Sequence, residues 1–168
     1  YIQGYARHLM SRMCPSGEFM GYYIHPNYHN GEPLTDMTDE ERKETFSFYY
    51  PGEALLGLAL FMNHFTDNPE LQNEVQAKSK IAMDWIINER PKLYSELFTA
   101  LPSDAWLMQA IEEFANNENF RNKEYLDFVY NDAQTMLSHM YKDSETPYLD
   151  YEGGYYYNFG DHYYPDGA

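Results

Sequence analysis

Between Ala54 and Met62 the chain reads Ala-Leu-Leu-Gly-Leu-Ala-Leu-Phe-Met, a run without one polar side chain. A helix that is apolar on every side has to be surrounded by protein. The run is introduced by Tyr49-Tyr50-Pro51-Gly52-Glu53. A proline in the first helical turn lacks only an N–H that would be unpaired there, and the acid behind it sits at the positive end of the helix dipole. Similar starts recur at Pro102-Ser103-Asp104-Ala105 and at Pro165-Asp166-Gly167-Ala168, the last again behind a tyrosine pair, Tyr163-Tyr164. Three matching starts predict three helices of one kind, and hence a repeat.

The segments between these starts have a different character. Over 70–89, Leu71, Val75, Ala82, Trp85 and Ile86 share one side, while Glu74, Lys78, Lys80 and Asp84 are polar. That is an amphipathic helix. From Ser103 to about Asn116 the chain is again mostly apolar at first, through Ala105, Trp106, Leu107, Met108 and Ile111. Over 122–141, Leu126, Val129, Ala133, Met136, Leu137 and Met140 form one stripe, and over 1–13 so do Ile2, Tyr5, Ala6, Leu9 and Met13. The predicted order alternates half-buried with buried helices, and short links such as 66–69 make neighbours antiparallel hairpins. The expected fold is all-α, with inner helices wrapped by outer ones. Tetratricopeptide arrays compete, but their period is about 34 residues. A four-helix bundle also competes, although it does not require two helices so much more apolar than the rest.

The connections into the buried helices are long and aromatic. The first holds Gly17-Glu18-Phe19-Met20-Gly21-Tyr22-Tyr23, His25, Tyr28 and His29, then an acidic stretch over 36–44 that reads as a short solvated helix. The last holds Gly153-Gly154-Tyr155-Tyr156-Tyr157, whose alternation fits a short strand or hairpin, and then Asp161-His162. Loops of this length in a compact domain are functional or disordered, and aromatic richness disfavours disorder. Gly57, within the apolar run, costs about 1 kcal/mol relative to alanine and points to close approach of another helix.

With 168 residues the chain is long enough for one domain and not comfortably for two. Its 27 acids against 11 Lys plus Arg, a net charge of −16, argue against a nucleic-acid backbone or an anionic membrane surface as a partner. No apolar run approaches the roughly 18 residues of a membrane span. The single Cys14 excludes an internal disulfide and a Cys-rich zinc module, and no base stands beside it in sequence to make it a nucleophile. His25 and His29 are four apart, but Pro26 between them spoils a shared helical face, so no metal site and no cofactor signature emerge. The chain begins at Tyr1 and stops within a predicted helix start, so residues 1–168 read as one domain of a processed or longer chain.

The combination of Gly-x-Phe-x-x-Tyr over 17–22, the Tyr-Tyr-Pro-Gly-Glu-Ala-Leu-Leu helix start and Ser-Asp-Ala-Trp over 103–106 resembles the (α/α) toroid domains of the six-hairpin glycosidase-like group. That group holds glycoside hydrolases, sugar epimerases and polyuronate-processing enzymes. The resemblance is one of repeat style along the whole chain and carries over no catalytic signature. A ring of six hairpins, at roughly 50–60 residues each, needs about twice this length. The resemblance therefore implies a partial toroid.

If the buried helices start at one rim, Glu53, Asp104 and Asp166 gather at a mouth with the aromatic loops. Paired carboxylates are what glycoside hydrolysis needs, which makes Glu53 and Asp104 the candidate catalytic pair. Tyr50, Trp106, Tyr155, Tyr157 and Tyr164 offer faces for sugar rings, and Asp161, His162 and Asp166 offer polar contacts. Each has a structural reading as well. First-turn acids satisfy free N–H groups, a loop histidine often packs, and tyrosines seal the ends of helical barrels. His8, His64 and His139 fall on helix surfaces. Two functions follow from these residues. One is a carbohydrate-active domain, hydrolase or epimerase in type, that binds a glycan in an aromatic, acid-lined cleft. Neutral sugars fit it better than polyuronates, because Arg7, Arg12 and Arg42 are the only arginines near the loops. The other is a non-catalytic helical-repeat scaffold whose tyrosine loops contact a protein partner or a sister chain.

Overall fold

The structure is a computed structural model that describes residues 1–20, 38–65, 67–97, 104–142, 146, 148–159 and 162–166. Seven α-helices lie among these residues: α1 (Ile2–Ser11), α2 (Asp39–Glu44), α3 (Tyr50–His64), α4 (Pro69–Asn88), α5 (Arg90–Tyr94), α6 (Ala105–Phe114) and α7 (Lys123–Ser138). No helix among them is long and apolar enough to cross a membrane.

Short polar side chains set most of the starts. Asn68 accepts from Leu71 N at 3.1 Å ahead of α4, Asp104 from Leu107 N at 3.0 Å ahead of α6, and Asn122 from Glu124 N at 3.0 Å ahead of α7. Thr38 and Glu41 close a reciprocal capping box on the solvated α2. Pro51 and Pro69 occupy first-turn positions in α3 and α4. Pro91 falls in the first turn of α5, just beyond the end of α4 at Asn88.

Contacts at both ends of each pair fix the helix directions. A Cβ on Gly52, at the start of α3, would lie 2.7 Å from Leu107 N at the start of α6. At the other end Asn63 donates to the Glu113 carbonyl at 2.9 Å. The helices α3 and α6 are therefore parallel and begin at a common end. Gln72, early in α4, donates to the carbonyls of Met62 and Phe65, while Arg90 beyond its far end donates to that of Phe48. So α4 runs antiparallel to α3. Phe120, ahead of α7, stacks on Phe114 at the end of α6 with ring centroids 4.4 Å apart. Further along α7, Asp132 accepts from Asp104 N at 2.7 Å, so α7 is antiparallel to α6. Asn68 donates to Gln3 and Arg7 pairs with Glu74, which lays α1 alongside α4. The core between these helices is Leu55, Leu58, Ala59, Leu71, Val75, Met83, Ile86, Leu107 and Phe114, all buried. Leu9 of α1 comes close to Gly57, as the glycine within the apolar run predicts.

Four expectations change. The first is that α3 is not enclosed on every side: Tyr50, Glu53, Gly57, Leu60 and His64 fall on one exposed stripe. Helices α1, α4 and α6 flank it, and no described helix covers the remaining side. The second is the stripe of α7, of which Leu126 and Leu137 are exposed and Tyr125 is the buried residue. Among the described residues this edge helix meets helical neighbours on one side only. In α1 likewise, Ala6 and Met10 turn inward while Ile2 and Tyr5 face water. The fourth concerns Pro165-Asp166, which starts no helix. Both residues lie in β2 (His162–Asp166), paired antiparallel with β1 (Tyr155–Phe159). Consecutive tyrosines favour extended backbone, and in a two-stranded ribbon each strand has a free edge where proline is tolerated. The start at Pro102-Ser103 lies outside the described residues.

Candidate functional site

The common end of α3 and α6 is organised around Asp104. Its carboxylate caps α6 through Leu107 N and receives Arg90 Nη1 at 2.9 Å. Both side chains are sealed off, with Asp104 0% and Arg90 2% exposed. Arg90 also donates to the Phe48 carbonyl at 3.1 Å, and its guanidinium lies 4.7 Å from the centre of the Phe48 ring. Burial raises the Asp104 carboxyl above its ordinary value, against the pull of Arg90, and lowers Arg90. The neighbouring Asp132 carboxyl is raised by burial too. Asp104 is thus committed to capping and to its counter-ion, and a substrate would have to break that pair to reach it.

Glu53 stands differently. It is exposed in the first turn of α3, close enough to Asp104 that its charge adds slightly to the upward shift there. Beside it a cleft of about 340 Å³ opens between the end of α1 and the start of α3. Arg12 and Leu9 line it from the α1 side, Phe19 and Met20 from the segment that follows, and Tyr50 and Glu53 from α3. Tyr50 is 62% exposed, so its ring is free to meet a ligand. Trp106 is 42% exposed at the same end, its Cβ only 3.1 Å from the place a Gly52 Cβ would take.

The Phe19-Met20 wall is anchored from behind. Glu18 accepts from Tyr94 Oη at 2.6 Å and from Arg42 Nη1 at 2.8 Å, joining this segment to α2 and α5. Burial, with the Glu18 carboxylate second, pushes the Tyr94 hydroxyl well above its ordinary value, so it remains a donor. Gly17 has φ +100°, and a Cβ there would meet Ile81 O of α4 at 2.5 Å, a position that glycine alone fits. Cys14 is buried with its thiol raised by that burial and pointed at Met20 Sδ 3.2 Å away, the surroundings of an inert cysteine.

Of the residues flagged by sequence, Tyr50 and Glu53 share the cleft, with Trp106 and Asp104 next to it. Tyr155 and Tyr157 belong to the ribbon, where they pair with Asp166 and Tyr164, while His162 pairs with Phe159. The ribbon is held to the end of α7: Tyr156 N donates to the His139 carbonyl, and its ring lies 4.6 Å from that of Tyr141. Asp161, His25, His29 and Tyr22 lie outside the described residues. Among the described residues no cluster of His, Cys, Asp and Glu could hold a metal ion. Arg90 is the structural cation that pattern reading missed, and Arg12, noted in the sequence only as lying near the aromatic loop, lines the cleft. The signal for Arg12 was its rarity, one of 11 cations in an acidic chain, close in sequence to the aromatic loop. No family model, no curated protein and no solved structure matches this chain.

Proposed function

We propose that this chain is a carbohydrate-binding helical domain, built as part of an (α/α) toroid, that holds a glycan in the cleft at the start of α3. The observation that carries the reading is the cleft itself, where an exposed tyrosine face and an exposed carboxylate, Tyr50 and Glu53, line one cavity of about 340 Å³. A sugar presents an apolar ring face to the one and hydroxyl donors to the other. The helix directions support the toroid: two parallel helices, α3 and α6, alternate along the chain with antiparallel α1, α4 and α7. Hydrolysis calls on two carboxylates flanking the bond. With Asp104 sequestered, Glu53 is the one accessible carboxylate among the described residues that line the cleft, which suits sugar binding or proton abstraction of the epimerase type better than hydrolysis.

The test is calorimetric titration of the protein with a panel of mono- and oligosaccharides, repeated with Glu53→Gln and Tyr50→Ala. Binding that both variants weaken at least about tenfold, with unchanged melting, supports the reading. Any turnover found should vanish in Glu53→Gln. Full binding and activity in both variants would remove the cleft from the function.

A second reading has its own observation. Leu126 and Tyr130 on α7 are 60% and 68% exposed, along the side where a further helix would pack. That surface suits a scaffold or assembly subunit. Oligomeric state by light scattering, compared with Tyr130→Glu, tests it: a chain that is monomeric throughout would count against it.

A further inference from the structure

We infer that a second copy of this chain covers the apolar face of α7 with its own α1, so that copies join head to tail. The inference rests on the reading of α7 as an assembly surface and names what that surface receives.

Exposed apolar side chains stand at both ends of the helix array. The array runs from α1, packed on α3 and α4, through α3 and α6 to α7. At one end Ile2 and Tyr5 of α1 face water, the latter 68% exposed, and Leu60 and Phe65 at the end of α3 are exposed as well. At the other end Leu126, Tyr130 and Leu137 of α7 are exposed, and their spacings of four and seven residues put them on one helix face. Leu149 is 89% exposed on the turn after α7, where Tyr151 ties it to Tyr141 by a ring contact. Apolar faces of this kind mark interaction surfaces.

Charge decides which faces meet. Residues 1–17 hold Arg7 and Arg12 and no acid, whereas residues 143–168 hold six acids and neither Lys nor Arg. Two α7 ends brought together would set acid against acid. An α1 end brought to an α7 end sets opposite signs together, which fixes the orientation and suppresses like-with-like pairing. Arg7 is available for this: its contact with Glu74 is 3.9 Å long between two exposed side chains, and such a contact gives up little when the arginine turns elsewhere. Asp150, exposed beside Leu149, is an acid of the opposing end. Because the two faces differ, the contact is heterologous. Each joined pair keeps one free α1 and one free α7, so growth continues unless the rotation closes a ring.

Sedimentation velocity over a concentration series is expected to show wild-type species growing past two copies. Tyr5→Glu, on the α1 face, and Tyr130→Glu, on the α7 face, should each sediment as a single chain while melting like the wild type. Mixed one to one, the two variants should form a dimer of about twice the 19.9 kDa of one chain, because each supplies the face the other lacks. Arg7→Glu should weaken association about fivefold, the scale of an exposed charge pair. Should either tyrosine variant fail to fold, Ile2→Glu and Leu126→Glu take their places. A mixture that stays monomeric, or association that Tyr5→Glu leaves intact, overturns the inference. If Tyr130→Glu still abolishes association in that case, α7 stands as an assembly surface with another occupant. Association indifferent to Arg7→Glu overturns the charge pairing that selects this partner. A wild-type protein that is a single chain at every concentration, or association that Tyr130→Glu leaves intact, removes the assembly reading of α7 and this inference with it.

Discussion

Replacing Arg90 by methionine keeps most of the side-chain volume and removes one charge from the best-buried ion pair among the described residues. The Asp104 carboxylate, 0% exposed, would keep the Leu107 N–H and lose the partner now 2.9 Å away. The Phe48 carbonyl would lose a donor at 3.1 Å. Breaking a buried pair from one side costs about 3–5 kcal/mol, because the remaining charge is stranded out of water. That is a large share of the roughly 5–15 kcal/mol that holds a domain folded. Urea unfolding followed by circular dichroism should show the midpoint falling at constant slope, and melting should drop by roughly 6–20 °C. The double variant Arg90→Met with Asp104→Asn leaves no charge to strand, and asparagine caps nearly as well as aspartate. It should be more stable than Arg90→Met alone. The penalty in Arg90→Met should also shrink in acid, where the buried Asp104 takes up a proton. A loss under about 1 kcal/mol, the range of an exposed pair, would refute the claim that this pair anchors the common end. So would simple additivity of the two substitutions.

Two further outcomes follow from the packing and the charge. Gly52→Ala puts a methyl 2.7 Å from a backbone nitrogen and should cost about 1–3 kcal/mol, whereas Gly57→Ala meets only the movable Leu9 Cδ1 at 3.3 Å and should be neutral or stabilising by up to about 1 kcal/mol. Melting of the two variants side by side checks this, and equal losses would contradict the close approach of α3 to α6. Burial raises Asp104 and Asp132 above the ordinary 3.8, so the folded chain holds those protons more tightly than the unfolded one. Their stabilising contribution is complete below 3.8 and is lost as pH climbs through the raised values. Relief of repulsion among the 27 acids acts in the same direction. The melting advantage of the wild-type protein over Asp132→Asn is therefore expected to shrink as pH rises from 3.8, and an advantage that does not change with pH would contradict it.

Local chemistry made the helical elements legible. Proline and acid at helix starts and a 3.6-residue apolar period are satisfied within a few residues, and α4 is found with the whole stripe from Leu71 to Ile86 buried as expected. The parallel start of α3 and α6 was legible for a related reason: two highly apolar helices must share a core, and hairpins of similar length return the chain to the same end. Where the pattern misled, a neighbour was missing or a local preference lost to another. Leu126 and Leu137 satisfy the period of α7, but period alone does not say which of two adjacent apolar faces finds a partner. Pro165-Asp166 copies a helix start, yet the tyrosines around it favoured the ribbon.

The candidate site divides along the same line. That Tyr50 and Glu53 stand together follows from three residues of one helix turn, a relation any sequence displays. That Asp104 is closed to substrate depends on Arg90, fourteen positions earlier and on another helix. That Arg12 lines the cleft depends on the end of α1 packing beside the start of α3. Short-range sterics and hydrogen bonding are written in neighbouring residues. Whether a carboxylate meets water or a guanidinium is decided by which distant segments pack against it, and only the assembled helices contain that information.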